Sequence, residues 1–142
     1  PRNAIKNLLV QEKNMSELDK DLFLKEFHKG EPVVGLAVMG GIFSEGIDLT
    51  GEKLIGVLIV GVGLPSPSAE NEILKQHFQD RFEDGFGYAY LLPGFNKVLQ
   101  TAGRLIRTET DTGSIMLLDK RYKEFRYRNL FPPHWVSSIY KN

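Results

Sequence analysis

The chain has 142 residues, a length that suits one domain with a single hydrophobic core. Its 18 basic and 18 acidic side chains balance, so any site for an anion has to be built locally. The chain lacks cysteine, which excludes disulfides and thiolate metal sites, and it has no apolar run as long as the roughly 20 residues of a membrane-spanning helix. We therefore expect one cytoplasmic domain over residues 1–142, without a membrane role.

The first elements are predicted from their boundary residues. A short strand at 5–10 precedes a helix that begins after Ser16, with Asp19 as the partner in a capping box, and that runs to Lys29 before a glycine. A second helix is predicted over 68–84. Strand and helix thus alternate from the start of the chain.

Three further strands are predicted at 33–39, 55–62 and 114–118. The first two are rich in Val, Ile and Leu without strict alternation, which is typical of strands buried on both faces of a parallel sheet. The alternation of strands and helices predicts an α/β fold with a mostly parallel sheet, where ligands bind beyond the carboxyl ends of the strands. Residues 132–142 are predicted to form an irregular tail.

A third helix, with Pro93 in its first turn, is predicted to carry a polar stripe. At about 100° per residue, Gln100, Arg104 and Arg107 fall within one narrow stripe. Gly103 borders the stripe and would let a ligand or a second domain approach, although glycine costs about 1 kcal/mol of helix propensity. The stripe indicates a phosphate-binding face, and its alternative is an ordinary solvated surface. The opposite side is apolar and comprises Phe95, Val98, Ala102, Leu105 and Ile106.

A polar, glycine-rich loop at 40–53 follows the second strand. Its glycines allow backbone N–H groups to approach phosphate or sugar closely, and Ser44, Glu45 and Asp48 add a hydroxyl and two carboxylates. A long turn without a ligand is the alternative. The loop fails the P-loop pattern because a glutamate precedes Lys53 and neither serine nor threonine follows it.

No metal site is predicted. Glu45 and Asp48 could contribute to a two-metal nuclease site, but no other carboxylate-rich motif accompanies them. The histidines lack the spacing of metal ligands on a helix and are expected at the surface. They are His28, His77 and His134.

Two other groups have both a functional and a structural interpretation. Asp119 directly follows the fourth strand, where it could reach the same edge as the glycine-rich loop or simply form a turn. A set of aromatic side chains could stack on nucleobases, but we expect them mainly in the core. The set comprises Phe86, Tyr88, Tyr90 and Phe95.

Five segments in order resemble the second motor domain of DinG/XPD-like superfamily two helicases. The resemblance extends from about residue 11 to 131 and implies a RecA-like three-layer domain that is truncated at its N-terminus. The segments are Gly41-Ile-Phe-Ser-Glu-Gly-Ile-Asp48, Val62-Gly-Leu-Pro65, Gly85-Phe-Gly-Tyr-Ala-Tyr90, Gln100-x-x-Gly-Arg-x-x-Arg107 and Leu118-Asp-Lys-Arg-Tyr122.

The resemblance also implies roles for residues. Arg104 and Arg107 would belong to motif VI and contact the γ-phosphate of ATP from across a cleft, with Gln100 and Gly103 in the same site. The segment from residue 44 to 48 would be motif V, which links the nucleotide site to the DNA track. In it, Gly46 and Asp48 would lie on the nucleotide side, and Ser44 and Glu45 would face DNA or the interdomain cleft.

The implied cofactor is ATP with Mg²⁺, held mainly by a first motor domain of the same parent chain, and the implied partner is single-stranded DNA. The chain contains neither a P-loop nor a D-E-x-H sequence. We therefore expect an ATP-dependent DNA helicase as the parent and no ATP hydrolysis by the isolated chain. The alternatives are a non-catalytic α/β domain that binds nucleic acid or protein through its basic C-terminal third, and a phosphate-binding enzyme complete in this chain.

Overall fold

The computed structural model describes residues 6–43, 54–105, 112–133 and 135. Helices and strands are interspersed in them, although two strands and two helices each follow one another in the described residues. The strands are β1 (Leu8–Val10), β2 (Val34–Leu36), β3 (Gly56–Val60) and β4 (Ser114–Leu118). The helices are α1 (Glu17–Glu26), α2 (Ala69–Phe82), α3 (Leu92–Ala102) and the single turn α4 (Phe125–Arg128).

The helix starts follow the predicted capping chemistry. The Oγ of Ser16 accepts a hydrogen bond from the Asp19 N–H at 3.2 Å, and the Asp19 carboxylate accepts one from the Ser16 N–H at 2.9 Å, which completes the capping box. Ser68 caps α2 in the same way through the Asn71 N–H. The prediction that α1 reaches Lys29 is wrong, because after Glu26 the chain tightens into turns whose N–H groups bond three residues back.

All described strand pairs are parallel. β1 pairs with β2, and β3 pairs with β4 in the register Gly56 to Ser114 and Val60 to Leu118. Each pair is joined by a connection that contains a helix, as parallel pairing requires. The predicted α/β class with parallel strands is therefore confirmed.

The prediction that the strands are buried on both faces is wrong for the described residues. In β3 the inward side chain of Ile59 is buried, whereas Leu58 and Val60 are 58% and 70% exposed. The same alternation recurs in β4, where Met116 and Leu118 are exposed. Helix α3 packs against one face of this sheet, and within the described part of the chain nothing covers the other.

The core lies between α3 and the inner face of β3 and β4. Val98 of α3 is completely buried, and Phe95 stacks on Phe131 from the C-terminal segment, with ring centroids 5.7 Å apart. Other buried members come from β3, the turn after it, α3, the turn that leads into α3 and the segment after β4. They are Ile59, Val62, Leu91, Ala102, Tyr122 and Tyr127.

Two glycines allow α3 to approach the chain directly after β3. A methyl group added to Gly63 would stand 2.7 Å from the carbonyl oxygen of Gly94, and one added to Gly94 would stand 2.9 Å from that of Val62. Backbone therefore lies against backbone at this point. A π-helical turn, Gly87–Leu91, leads into α3, and the Leu92 N–H donates to the carbonyl of Gly87. The sequence pattern did not indicate this turn.

Candidate nucleotide and nucleic-acid edge

The predicted polar stripe begins on α3 and continues beyond the end of the helix. Gln100 is exposed in the last turn of α3, which ends at Ala102. The chain then forms a tight turn over 103–105, the arginine turn, in which the Arg104 N–H donates to the Thr101 carbonyl at 3.2 Å. The prediction of one continuous helix through Arg104 is therefore wrong. Arg107 lies outside the described residues.

The apolar side of α3 anchors the arginine turn. Ala102, directly before the turn, and Leu105, at its end, are buried. The Leu105 side chain occupies the space that a side chain on Gly113 would need, because a Cβ added to Gly113 would stand 2.6 Å from it. The predicted burial of Phe95 and Val98 is confirmed as well. Ile106 lies outside the described residues.

Gly103 and Arg104 differ in exposure although they are neighbours. Gly103 is exposed, and a methyl group added to it would meet only carbonyl oxygens of its own helix within 4 Å. Arg104 is half-buried, with its Nε atom buried. The Nε end of the guanidinium group is therefore held by its surroundings, which lowers the entropy cost of presenting the group to a ligand.

The loop after β2 begins beside α3. Gly40 has a left-handed backbone with φ of +75°, and its open side faces the side chain of Lys97. Phe43 is buried and stacks on Phe23 of α1, with ring centroids 4.4 Å apart. These contacts bring the start of the glycine-rich loop to the helix that carries Gln100. The predicted site residues of the loop lie outside the described residues; they are Ser44, Glu45, Gly46 and Asp48.

Gln11 is a residue at this edge that sequence reasoning missed. It follows β1, its N–H donates to the Leu36 carbonyl at 2.8 Å, and its Oε1 accepts from the Val38 N–H at 3.0 Å. Gln11 thereby fixes the path of the chain from β2 toward Gly41. Only the contact between two distant segments reveals this role, since a single glutamine after a strand has no distinctive pattern.

Asp119 forms a turn rather than a ligand site. Its carboxylate accepts hydrogen bonds from the Arg121 backbone N–H at 2.9 Å and from the Arg121 guanidinium at 2.9 and 2.7 Å. The hydrogen bonds from Arg121 lower the pKa of the Asp119 carboxyl to about 2. Tyr122, which follows Arg121, is buried. Its hydroxyl donates to the Gly61 carbonyl at 2.6 Å, which ties this turn to the end of β3. Burial raises the pKa of Tyr122 to about 12.

The four aromatic residues considered for base stacking divide into two pairs. Tyr90 and Phe95 are buried, and the Tyr90 hydroxyl donates to the Glu72 carboxylate at 2.6 Å. Phe86 and Tyr88 are 38% and 41% exposed. The expectation of core positions is therefore confirmed for one pair and wrong for the other. Tyr88 stacks on Phe78 of α2 and Phe86 stacks on Tyr90, but these contacts leave both rings partly exposed.

Neither a metal cage nor a spanning helix occurs in the described ranges. No group of three or more His, Asp or Glu side chains among residues 6–43, 54–105, 112–133 and 135 is placed to hold a metal ion. In those same ranges no helix has the length and apolar character needed to cross a membrane. His28 and His77 are exposed, as predicted, and His134 lies outside the described residues.

Comparison with known proteins identifies the family. The family described as helicase C-terminal domain matches residues 2–138. A probable ATP-dependent helicase of Methanocaldococcus jannaschii is 33% identical over 129 residues, which cover 84% of this chain and 19% of that protein. The ATP-dependent DNA helicase DinG of Photobacterium profundum is 35% identical over 89 residues, covering 61% of this chain and 13% of that protein.

Similarity to XPD helicases extends to structure. The transcription and DNA repair factor IIH helicase subunit XPD of Dictyostelium discoideum is 27% identical over 141 residues, covering 94% of this chain and 18% of that protein. A solved XPD helicase structure superimposes with a TM-score of 0.68 at 26% identity, covering 89% of this chain and 23% of that chain. The fold is RecA-like, as predicted, and the chain spans about a fifth of the first two relatives' length. It belongs to the helicase C-terminal domain family, as a DinG/XPD-like member.

Proposed function

We propose that this chain is the second motor half of an ATP-dependent DNA helicase, and that the arginine turn acts on ATP bound mainly by the first motor domain of the parent. One observation carries the proposal. Gln100 and Gly103 form an exposed edge, with the half-buried Arg104 beside them, at the end of a helix whose other side is the most buried part of the domain. The family membership and the names of the relatives support the same function.

The chemistry of phosphoryl transfer explains why arginines are needed at such an edge. Negative charge spreads over the transferred phosphoryl group in the transition state, and a guanidinium group offers two parallel N–H donors that match its oxygens. We propose this role for Arg104 and Arg107, with Gln100 beside them. An arginine supplied from a second domain accelerates phosphoryl transfer by roughly 10³ to 10⁵.

The same arrangement would couple hydrolysis to movement along single-stranded DNA. The arginines reach the phosphate only when the two motor domains close, so each cycle of ATP binding and release would close and open the cleft. Motif V would transmit this movement to DNA, with Gly46 and Asp48 on the nucleotide side and Ser44 and Glu45 toward the strand or the cleft. ATP would be bound with Mg²⁺, and the isolated chain would be inactive.

Steady-state ATP hydrolysis by the full-length parent tests this proposal. We expect Arg104→Ala and Arg107→Ala each to reduce the DNA-stimulated rate by at least about 10³. The control is Arg81→Ala, which removes an exposed arginine of α2 and should leave the rate unchanged. Hydrolysis by the isolated chain, unaffected by Arg104→Ala, would contradict the proposal.

A non-catalytic domain that binds nucleic acid through its C-terminal third is the second candidate. Lys120, Lys123 and Arg128 are exposed on this part of the surface, whereas Arg121 and Arg126 form ion pairs with aspartates. Full hydrolytic activity in both arginine variants, together with loss of DNA binding when Lys120 and Lys123 are replaced by Met, would favour this candidate.

A further inference from the structure

Lys97 of α3 lies against the start of the glycine-rich loop. A methyl group added to Gly40 would stand 3.1 Å from the Cδ of Lys97, 3.4 Å from its Cε and 3.7 Å from its Cγ. The aliphatic stem of the lysine therefore packs over the glycine backbone, in the space that a side chain would otherwise fill. This contact holds a half-buried lysine at the carboxyl end of β2, the edge of a parallel sheet where ligands bind.

The helix register places Lys97 close to the predicted phosphate-binding residues. Lys97 precedes Gln100 by three residues, so the two side chains are separated by roughly 60° around α3 and lie on neighbouring turns. The arginine turn begins directly after the same helix. Lys97 thus extends the polar edge from the end of α3 back to the loop at Gly40.

The charge of Lys97 is not balanced by a carboxylate on its own helix. Lys20 and Lys75, on α1 and α2, each form an ion pair with a glutamate three residues earlier. The position three residues before Lys97 is Gly94, and the α3 sequence contains no acidic residue. Within the part of the chain that the structure describes, Lys97 forms no ion pair. An ammonium group held this way is available to an external anion.

We infer that Lys97 binds a phosphate group at the edge formed by α3 and the Gly40 backbone. This inference rests on the proposed function, because the phosphate belongs either to the DNA strand or to ATP. A lysine ammonium is a compact positive charge with three N–H donors, which suits the oxygen atoms of a single phosphate group. Gly40, which lacks a side chain, leaves the room in which the lysine stem lies.

The test uses the full-length parent with three variants. Lys97→Met keeps an unbranched apolar stem and removes the charge, Lys97→Arg keeps the charge, and Lys25→Met removes an exposed lysine of α1 as the matched control. Two quantities are measured: the affinity for a single-stranded oligothymidylate without nucleotide at several salt concentrations, and KM for ATP at saturating DNA.

Lys97→Met should change one of the two quantities by about tenfold, and Lys97→Arg should restore most of the loss. If the phosphate belongs to DNA, affinity falls and the slope of log affinity against log salt becomes shallower by about 0.7. If the phosphate belongs to ATP, KM rises and DNA affinity stays the same. Equal behaviour of Lys97→Met and Lys25→Met would overturn the inference. Equal loss in Lys97→Met and Lys97→Arg would overturn it as well, because it would show that the charge of Lys97 is not what binds.

The failure of this inference can be distinguished from the failure of the proposed function. Loss of hydrolysis in Arg104→Ala with normal behaviour of Lys97→Met would refute only the role of Lys97. Normal hydrolysis in Arg104→Ala with weakened DNA binding in Lys97→Met would refute the arginine assignment and keep the phosphate contact.

Discussion

The β3–α3–β4 unit and the β1–α1–β2 unit differ sharply in how they are held together. The first has a closed core around α3, with Val98 completely buried. In residues 6–43, by contrast, Phe43 is the one buried residue, and α1 buries none of its side chains completely. The arginine turn therefore stands on the firmly packed unit, while the glycine-rich loop leaves the weakly packed one. Contacts between the two units include Lys97 with Gly40 and Met39 with Gly63.

The largest difference between the units should appear when core side chains are truncated. Phe95→Ala removes a buried ring from α3 and should lower the free energy of unfolding by about 3–5 kcal/mol. Leu22→Ala on α1 removes a half-exposed side chain and should change it by less than about 0.5 kcal/mol. Urea unfolding of the two variants measures both effects. Similar losses would show that the units are equally packed.

Two glycines, one in α3 and one directly after it, sharpen the comparison within the packed unit. Gly94→Ala places a methyl group 2.9 Å from the Val62 carbonyl oxygen and should cost about 1–3 kcal/mol through overpacking. Gly103→Ala adds the same group where no other element lies within 4 Å, and it should be close to neutral or slightly stabilising. Thermal unfolding distinguishes them. A neutral Gly94→Ala would contradict the close approach of α3 to the end of β3.

The capping box of α1, in the weakly packed unit, should contribute less to the free energy of unfolding. Ser16→Ala removes the acceptor for the Asp19 N–H and should cost about 1 kcal/mol. Hydrogen exchange should show the loss mainly in the amides of α1, because this helix contributes few buried contacts to the rest of the fold. Equal acceleration of exchange in α3 would mean that the two units unfold together.

The Asp119–Arg121 pair should produce the smallest effect, and it depends on pH. The folded pKa of Asp119, about 2, lies below its ordinary value of 3.8. The pair therefore stabilises the fold fully above that ordinary value, and the contribution is lost as pH falls toward the folded pKa. Between about pH 5 and about pH 2, the native chain should lose more unfolding free energy than Asp119→Asn. Parallel pH profiles of the two proteins would exclude this contribution.

Local chemistry made much of the fold predictable. Ser16 with Asp19, Ser68 and Pro93 mark helix starts that the structure confirms, and the apolar runs mark all four described strands. Burial of both strand faces could not be predicted from local sequence alone, because an apolar run does not show whether a second layer of helices is present. The apolar run therefore predicted that Leu58 is buried, whereas the described residues leave it exposed.

The candidate edge was predictable only in part. The spacing of Gln100 and Arg104 indicated a polar face, and their positions beside a buried helix agree with it. The end of α3 before Arg104 was missed because the stripe pattern continues past Gly103, although a glycine is also a common residue at a helix end. Lys97 and Gln11 were missed because their contacts join segments far apart in the chain, and no local pattern encodes such contacts.

The most direct test separates ATP binding from cleavage in the full-length parent. In a single-turnover measurement with saturating single-stranded DNA, we expect Arg104→Ala to bind ATP within a few-fold of the native affinity and to cleave it about 10³-fold more slowly. Retained thermal stability of the variant would show that its fold is intact. A cleavage rate within tenfold of the native rate would contradict the assignment of the arginine turn to the γ-phosphate.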